Sequence, residues 1–502
     1  MFDTTQSVQQ RGALSSIRET LESLIIAFIL AFIFRAFVVE AFVIPTGSMA
    51  DTLRGAHFRL TCPTCGHQYN FGFNPEKYGY QKGYLPSGYV NVIARSMRQD
   101  IPTCAFCGHQ FDRSYRRRIS NGDRILVLKY IYQFVEPQRW DVVVFKNPTD
   151  PRENFIKRLI ARPREKVEVI NGDVYINDQI QRKPPHIQDV LWLEAFNNDY
   201  QPADSLVEPL WRQPFQTTSA DSPWRLDQYK HLFEFAGSDR QHALTFNPSR
   251  LENIINFCEY NGPAGANSFL SSDLKLAFVL IPASQKGQIA VRLGKYGRAY
   301  SGIINFDGTC SIHDHAAGQD LASAQFPPLK PNQPIEVSFA LVDHSWRLCL
   351  GDQKLVELGP SDPAAWGYDR HTFILPSVDL LASGGPFNLE HIILYRDTYY
   401  TNTPSGMDRV NGIQGLGTEG NAIILQDNQF FVMGDNSPLS HDSRFWSTPG
   451  LGNHDKTYRT GIVPRDYLIG KAFFVYWPSG FRPHPSITIP LIPNAGKMRF
   501  IY

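Results

Sequence analysis

The chain carries almost no net charge. Its 49 Lys and Arg against 48 Asp and Glu leave +1, which excludes the basic footprint of a nucleic-acid-binding protein. Long apolar runs are also lacking. The one extended stretch, Leu24–Phe34, stops after eleven residues, where a spanning helix needs about 20. A polytopic membrane protein is thereby excluded. With 42% apolar and 19% charged residues over 502 positions, an ordinary globular protein of one to four domains is expected. The 37 Gly, 35 Pro and 13% aromatics favour strands and turns over long helices.

A third lack is chemical. Ser48 lies in the Gly-flanked turn Ile44-Pro-Thr-Gly-Ser-Met-Ala-Asp-Thr-Leu53, just beyond the apolar stretch, with no histidine nearby before His57. A hydroxyl is a poor nucleophile and needs a base within hydrogen-bond reach. The segment Asn154-Phe-Ile-Lys-Arg-Leu-Ile160 embeds Lys157 among apolar residues. Burial disfavours an ammonium and lowers its pKa, so a neutral Lys157 can take the Ser48 proton, the Ser-Lys variant of triad logic. Lys146 is the rival base, but it precedes the turn at Asn147-Pro148 and is expected to be exposed. Arg158 cannot substitute, because a guanidinium does not deprotonate in proteins. His441 has no supporting context and reads as a loop residue.

Counted through Arg35 and Glu40, the apolar stretch reaches 21 residues, Leu24–Ile44, with Arg35 free to snorkel. A cleaved secretory signal and a buried core helix compete with a retained anchor. Glu40-Ala-Phe-Val-Ile-Pro is a poor cleavage site, so a retained single anchor is preferred. Arg11 and Arg18 are offset by Glu19 and Glu22, so charge orients it only weakly.

An internal echo stands out: Cys62-Pro-Thr-Cys-Gly-His-Gln-Tyr69 and Cys104-Ala-Phe-Cys-Gly-His-Gln-Phe111. The four thiolates Cys62, Cys65, Cys104 and Cys107 can surround one tetrahedral structural zinc, as in a zinc ribbon, with no open position for catalysis. Disulfides, or His67 or His109 as a replacement ligand, are the competing readings. Arg113–Arg118 holds four arginines and reads as a solvated face, with contact to anionic lipid the alternative.

Strand signals dominate the rest. Asp123–Leu128, Val142–Phe145 and the Lys157 segment read as strands, and Val167–Ile170 with Val174–Ile176 as a hairpin through Asn171-Gly172-Asp173. Leu274–Ile281, Ile289–Leu293, Ile335–Val342, Trp346–Leu350 and Ile392–Tyr395 suggest a β-sandwich. It loosely resembles concanavalin/laminin-G jelly rolls, a class in which glycan or protein ligands are common, although fold does not give function. Cys258, Cys310 and Cys349 read as buried apolar thiols. The Pro-rich tail to Tyr502 is expected to pack loosely.

Three boxes lie in order: Ile44-Pro-Thr-Gly-Ser-Met49, Ile156-Lys-Arg158, and Met433-Gly-Asp-Asn-Ser-Pro-Leu-Ser-His-Asp-Ser-Arg444. With Asn121-Gly-Asp-Arg-Ile-Leu-Val127 and Arg139-Trp-Asp-Val-Val-Val-Phe145 between them, the chain resembles the type I signal peptidases over roughly 20–55, 119–180 and 395–485. The resemblance implies a membrane-bound serine endopeptidase that cuts signal peptides from exported preproteins. It implies no catalytic cofactor and a single-pass anchor in the plasma (inner) membrane, with the catalytic domain on the outer face. Ser48 and Lys157 would be the dyad, and the Ser48 N–H and the Thr46 hydroxyl the oxyanion donors. Ser440 would orient the lysine, and Asp442 and Arg444 would form an ion pair. Asp435 would be a nearby acid able to pair with Arg444. Phe42, Val43, Ile44 and Pro45 would clamp substrate as an added strand together with Asn154, Phe155 and Ile156, with small residues preferred first and third before the cut.

The expected fold is mainly β. Residues 1–20 form a tail and 21–44 the anchor. Residues 45–53 and 119–184 form the first part of a signal-peptidase-type core. It is interrupted by a zinc-ribbon-like insertion at 54–118 and a sandwich insertion at 185–392, and completed by 393–502. Departures from the family pattern are Asp51 for Pro, Pro438-Leu439 before Ser440, and Ala161-Arg-Pro-Arg-Glu165 for Gly-x-Pro-Gly-Asp. The last puts the shape of that turn in doubt. The competing functions are a surface adhesion scaffold on an inactive peptidase core, and a self-cleaving Ser-Lys regulator. The latter is disfavoured by the anchor and by the missing basic segment.

Overall fold

Alternation of apolar and polar side chains builds most of the structure. In Ile335–Val342, Val337, Phe339 and Leu341 are buried while Glu336 is exposed, the pattern of a strand with one face on a core. The computed structural model describes residues 18–30, 32, 38–94, 101–202, 213–227, 231–249, 260–261, 271–360, 374–402, 415–451, 457–484 and 487–502. Strands dominate these residues.

Eight strands form the sheet that carries the candidate site: β1 (Val39–Val43), β2 (Arg124–Leu128), β3 (Val142–Lys146), β4 (Asn154–Ala161), β5 (Gln429–Met433), β6 (Val463–Pro464), β7 (Leu468–Trp477) and β8 (Arg499–Phe500). The order is β1-β2-β7-β3-β4-β5-β6, with β8 beside β7, and the pairings are antiparallel. Residues some 270 positions apart therefore pair directly, as Val432 does with Leu159. The tail is not loose. Ile501 is 6% exposed in the core beside β1 and β2, its N–H donates to the Phe473 carbonyl at 2.9 Å, and Arg499 pairs with Asp123 at 3.2 Å.

A small second sheet holds the expected hairpin, Lys166–Ile170 against Asp173–Ile176. Asn171 (φ 51°) and Gly172 (φ 90°) make the two-residue turn, both with the positive φ of a primed turn.

A separate four-stranded sheet, Gln68–Gly72, His57–Thr61, Arg116–Ser120 and Tyr89–Asn91, shares its apolar cluster with the cysteine knuckles beside it. His57 pairs with Ser120, so this unit closes on itself and returns the chain to β2.

The chain from Leu193 to Arg396 forms two large antiparallel sheets that share one apolar cluster. Leu276 and Phe278 enter it from one sheet, Val291 and Leu293 from the other. The expected strands are found here, and Gly351 (φ 55°) turns the Ser345–Leu350/Gln353–Leu358 hairpin. The last strand runs Phe387–Arg396, past the expected limit at 392, because Leu389, Ile392 and Leu394 continue one buried face. Cys310 is buried and Cys349 half-buried; Cys258 lies outside the described residues.

A seam of buried charge ties these two sheets to the site-bearing part. Lys183 Nζ lies 2.8 Å from Asp343 and 2.7 Å from Asp397. Lys295 meets Asp273 and lies 3.6 Å from Asp173, which is 3.3 Å from His344. Asp173, Asp273 and Asp343 crowd their oxygens within 4.8 Å of one another; the two lysines supply the counter-charge.

Residues 18–30 are helical, and Leu21, Leu24, Ile25, Ile26, Phe28, Ile29 and Leu30 are all exposed. Among the described residues no helix is long and apolar enough to cross a membrane. Residues 1–17, 31 and 33–37 of the expected tail and anchor lie outside the described residues.

Candidate active site

The turn carrying Ser48 is held from both sides. Before it, Ile44 is 3% exposed and its N–H donates to the Asp123 carbonyl at 2.9 Å. Gly122 makes that approach feasible, since a Cβ there would fall 1.9 Å from the Ile44 oxygen. After it, Met49 and Leu53 are fully buried with Ile125, Val127 and Val142. Two apolar anchors thus bracket a turn whose Ser48 is only half-buried.

Lys157 sits on β4 opposite Val143. Its side chains alternate as expected: Phe155 and Leu159 pack in one cluster, Ile156 in another. Asn154–Lys157 pair with β3 only, because β5 joins β4 at Arg158, Leu159 and Ala161. β1 likewise lies at the end of its sheet. The turn after β1 nevertheless reaches β4, because Lys157 Nζ lies 2.6 Å from Ser48 Oγ.

The lysine is 4% exposed, and among the described residues no carboxylate comes within ion-pair distance of it. Burial pushes its pKa down to about 8, helped by Arg444 and opposed by Asp442 and Asp435. Such an amine is substantially neutral near pH 8 and can accept the Ser48 proton. Lys146, the rival, pairs with Asn154 three rungs away.

The third box closes over this pair. Asp442 and Arg444 form the expected ion pair at 2.7 Å, both fully buried. Burial alone would raise the Asp442 carboxyl, but Arg444, the Ser440 hydroxyl and the Gly434 N–H together outweigh it and hold it below the usual range. Arg444 also donates to Ser437 Oγ at 2.7 Å and to the Thr401 carbonyl at 2.8 Å. Asp435 pairs with Arg158, not with Arg444. Two 2.7 Å bonds join its carboxylate to the Arg158 guanidinium, itself 0% exposed and bonded to the Trp140 and Tyr502 carbonyls. The reason is register: Met433 pairs with Arg158, which brings Asp435 to Arg158, while Arg444 already spends its fork on Asp442.

Ser440 Oγ is buried against Gly434, where a Cβ would meet it at 2.3 Å and the Ser48 carbonyl oxygen at 2.4 Å. Its hydroxyl lies towards Asp442, whose carboxyl it helps to hold down, and not in a bond to Lys157, so the expected bond to the lysine is not formed. Thr46 is exposed on the turn, and Gly55 lets the chain fold back against its backbone. His441 is exposed in its loop. Asn436, inside the third box, went unassigned from sequence. It donates from its N–H to the Ser48 carbonyl at 3.1 Å and from Nδ2 to the Gly47 carbonyl at 2.8 Å.

The turn whose sequence departs from the family pattern is held by a left-handed residue and a half-buried carboxylate. Arg164, where the family pattern has glycine, takes φ 67°, a left-handed conformation costing a non-glycine about 1–2 kcal/mol. Glu165 binds Arg139 at 2.8 Å and the Arg162 N–H at 2.7 Å.

The four cysteines converge. Cys62 and Cys107 Sγ lie 3.4 Å apart, Cys65 and Cys104 3.6 Å, and all four lie within 4.8 Å of one another. They are free thiols, far beyond the 2.05 Å of a disulfide. Zn–S bonds of about 2.3 Å place tetrahedral sulfurs about 3.8 Å apart, so the spacing fits zinc. Each knuckle repeats the same bonds, Gly66 N–H to the Cys62 carbonyl (3.0 Å) and Gly108 N–H to the Cys104 carbonyl (2.9 Å), with Gly66 and Gly108 at φ 76° and 78°. His67 stacks on Tyr69, and His109 bonds Thr64 at 3.0 Å; neither joins the sulfur group.

Residues 104–222 and 395–477 match the family model "Signal peptidase, peptidase S26", less than half of the chain. The chain is 29% identical over 164 residues to Signal peptidase I of Rickettsia typhi, covering 33% of this chain and 45% of that protein. It is 31% identical over 150 residues to Signal peptidase I of Rickettsia akari, covering 30% and 39%. The chain thus spans less than half the length of these curated relatives. Among solved structures, the carbohydrate-binding module CBM66 from Bacillus subtilis covers 36% of this chain and 95% of that one, at 10% identity and a TM-score of 0.24; nothing is built on a likeness that weak. The similarity across the core strands is therefore to signal peptidases, and the matched residues include Lys157, Asp435 and the third box.

Proposed function

We propose that the chain is a membrane-anchored serine endopeptidase that removes N-terminal signal peptides from exported preproteins. The observation that carries this is the 2.6 Å approach of a buried, ion-pair-free Lys157 Nζ to Ser48 Oγ.

Neutral Lys157 takes the Ser48 proton as Oγ attacks the scissile carbonyl. The oxyanion is met by the Ser48 N–H and the Thr46 hydroxyl. The lysine ammonium passes its proton to the departing amine, leaving Ser48 acylated. A water, deprotonated by Lys157, then releases the signal peptide. Ser440, buried beside Asp442, keeps lone pairs with which its hydroxyl accepts from the ammonium once it forms, which holds the charged lysine in place.

Substrate lies as an added strand between Phe42–Pro45 and Asn154–Ile156, whose backbone groups have no strand partner on that side among the described residues. Residues 21–44 serve as the single anchor, for which the exposed apolar side chains from Leu21 to Leu30 are suited. The catalytic part then stands on the outer face of the plasma membrane. Residues 57–120 and 193–396 are insertions in the catalytic core. The four cysteines hold a structural zinc that cross-links the first insertion and takes no part in the cleavage.

Purified chain in detergent should cleave a preprotein at one bond. Ser48→Ala and Lys157→Ala should abolish this and Lys146→Ala should not; full cleavage by Lys157→Ala refutes the reading. Metal analysis should return one zinc per chain, lost in Cys62→Ser.

A further inference from the structure

The strands Ser238–Phe246 and Leu274–Pro282 belong to the two large sheets. Between them in sequence, Tyr260 and Asn261 stand at the Ser48 turn. The Tyr260 ring lies flush on two glycines. A Cβ at Gly47 would fall 2.1 Å from its Cε1, and one at Gly72 would fall 2.5 Å from the same atom. Tyr260 is 4% exposed, donates from its hydroxyl to the Ala56 carbonyl at 3.1 Å, and accepts from the Gly72 N–H at 2.8 Å. It therefore wedges between the Ser48 turn and the cysteine-bearing sheet.

Asn261 completes the contact. Its Nδ2 donates to Asn436 Oδ1 at 2.7 Å, and Asn436 Nδ2 donates back to Asn261 Oδ1 at 2.8 Å. The same Asn436 Nδ2 donates to the Gly47 carbonyl at 2.8 Å. An amide has one accepting and one donating end. The Gly47 carbonyl only accepts, so it takes the Nδ2 end of Asn436, and by binding both ends of that amide Asn261 holds its plane in place. A reversed amide would set two oxygens against each other. The Gly47–Ser48 peptide is planar and trans, so its C=O and N–H point in opposite directions. Pinning the Gly47 oxygen thus aims the Ser48 N–H, the donor that the developing oxyanion needs.

We infer that Asn261, seated by Tyr260, is a positioning residue for catalysis, through which the segment between the two large sheets sets the direction of the Ser48 N–H. This rests on the peptidase reading above. It gives that part of the chain a role at the reacting centre without contact to substrate.

The test uses full-length chain in detergent and compares wild type, Asn261→Ala, Asn436→Ala and the double variant on a preprotein. Asn261→Ala should lower kcat about tenfold and leave KM within about twofold, a fraction of the 100- to 1,000-fold loss of a whole oxyanion donor. The apparent pKa of the rate profile should stay in place, because Lys157 is untouched. The double variant should be no slower than the worse single one, the non-additivity of residues acting through one another. If the alanine variant fails to fold, Asn261→Asp carries the same test. It keeps the volume and the acceptor for Asn436 Nδ2, removes the donor to Oδ1, and should lower kcat likewise. Unchanged kcat, a loss confined to KM, or losses that multiply in the double variant overturn the inference. A wild-type chain that cleaves nothing, or cleaves without Ser48, overturns the peptidase reading and this inference with it. Wild-type cleavage with an indifferent Asn261 overturns this inference alone.

Discussion

Lys157 and Lys183 are both lysines, each 7% exposed or less, and they titrate in opposite directions. Burial lowers both. At Lys157 little opposes it, since Asp442 and Asp435 act at a distance and Arg444 works against them, and the pKa falls to about 8. At Lys183 burial is outweighed by Asp343 and Asp397, both in direct contact, and the pKa rises well above the ordinary value. Burial makes a lysine basic chemistry's servant only where no carboxylate stands beside it. Lys183 is a rivet in the seam joining the two large sheets to the core; Lys157 is buried with no ion-pair partner among the described residues.

The largest effect that sharpens this contrast is Lys157→Met. Cleavage should fall by at least three orders of magnitude in a preprotein assay, while the fold should gain stability. The folded pKa of about 8 lies below the ordinary lysine value of 10.5. As pH falls from 10.5 towards 8 the unfolded chain takes up a proton on this lysine that the folded chain does not, so the cost of burying the amine grows across that window and is complete below it. About 2.5 units correspond to roughly 3 kcal/mol, so the denaturant midpoint at pH 7 should rise.

Lys183→Met should do the reverse. It strands Asp343 and Asp397 in the interior, a loss of about 3–5 kcal/mol for a broken buried pair, and the denaturant midpoint should drop. The same substitution with the same sign at both sites would break the comparison.

Asp442→Asn is a smaller step. It removes the charge that most raises Lys157 and leaves Arg444, which lowers it. The acid limb of the rate profile should move to lower pH by about one unit. Least of all, Lys166→Met removes an exposed pair with Asp178, and neither midpoint nor rate should change.

The approach of Lys157 to Ser48 was legible in sequence because the two residues lie in short boxes with distinctive apolar neighbours. The hairpin at Asn171-Gly172 and the paired knuckles were legible for the same local reason, a turn residue or ligand at fixed spacing. Partners distant in sequence were not. Asp435 was assigned to Arg444, nine residues away, when register across β4 and β5 gives it to Arg158. Charge alone does not choose between two arginines. Asn261 carried no signal, since its partner is 175 residues away and its own stretch has no motif. The tail was misread as loose because proline content hides Ile501, which is buried by tertiary contact.

The most direct test of the account is the pH dependence of kcat/KM, which reports the free enzyme's base. The rate should climb tenfold per pH unit on the acid side and level off near pH 8. A profile that keeps climbing to pH 10, or one that is flat from pH 6 upward, would mean that a buried neutral Lys157 is not the base.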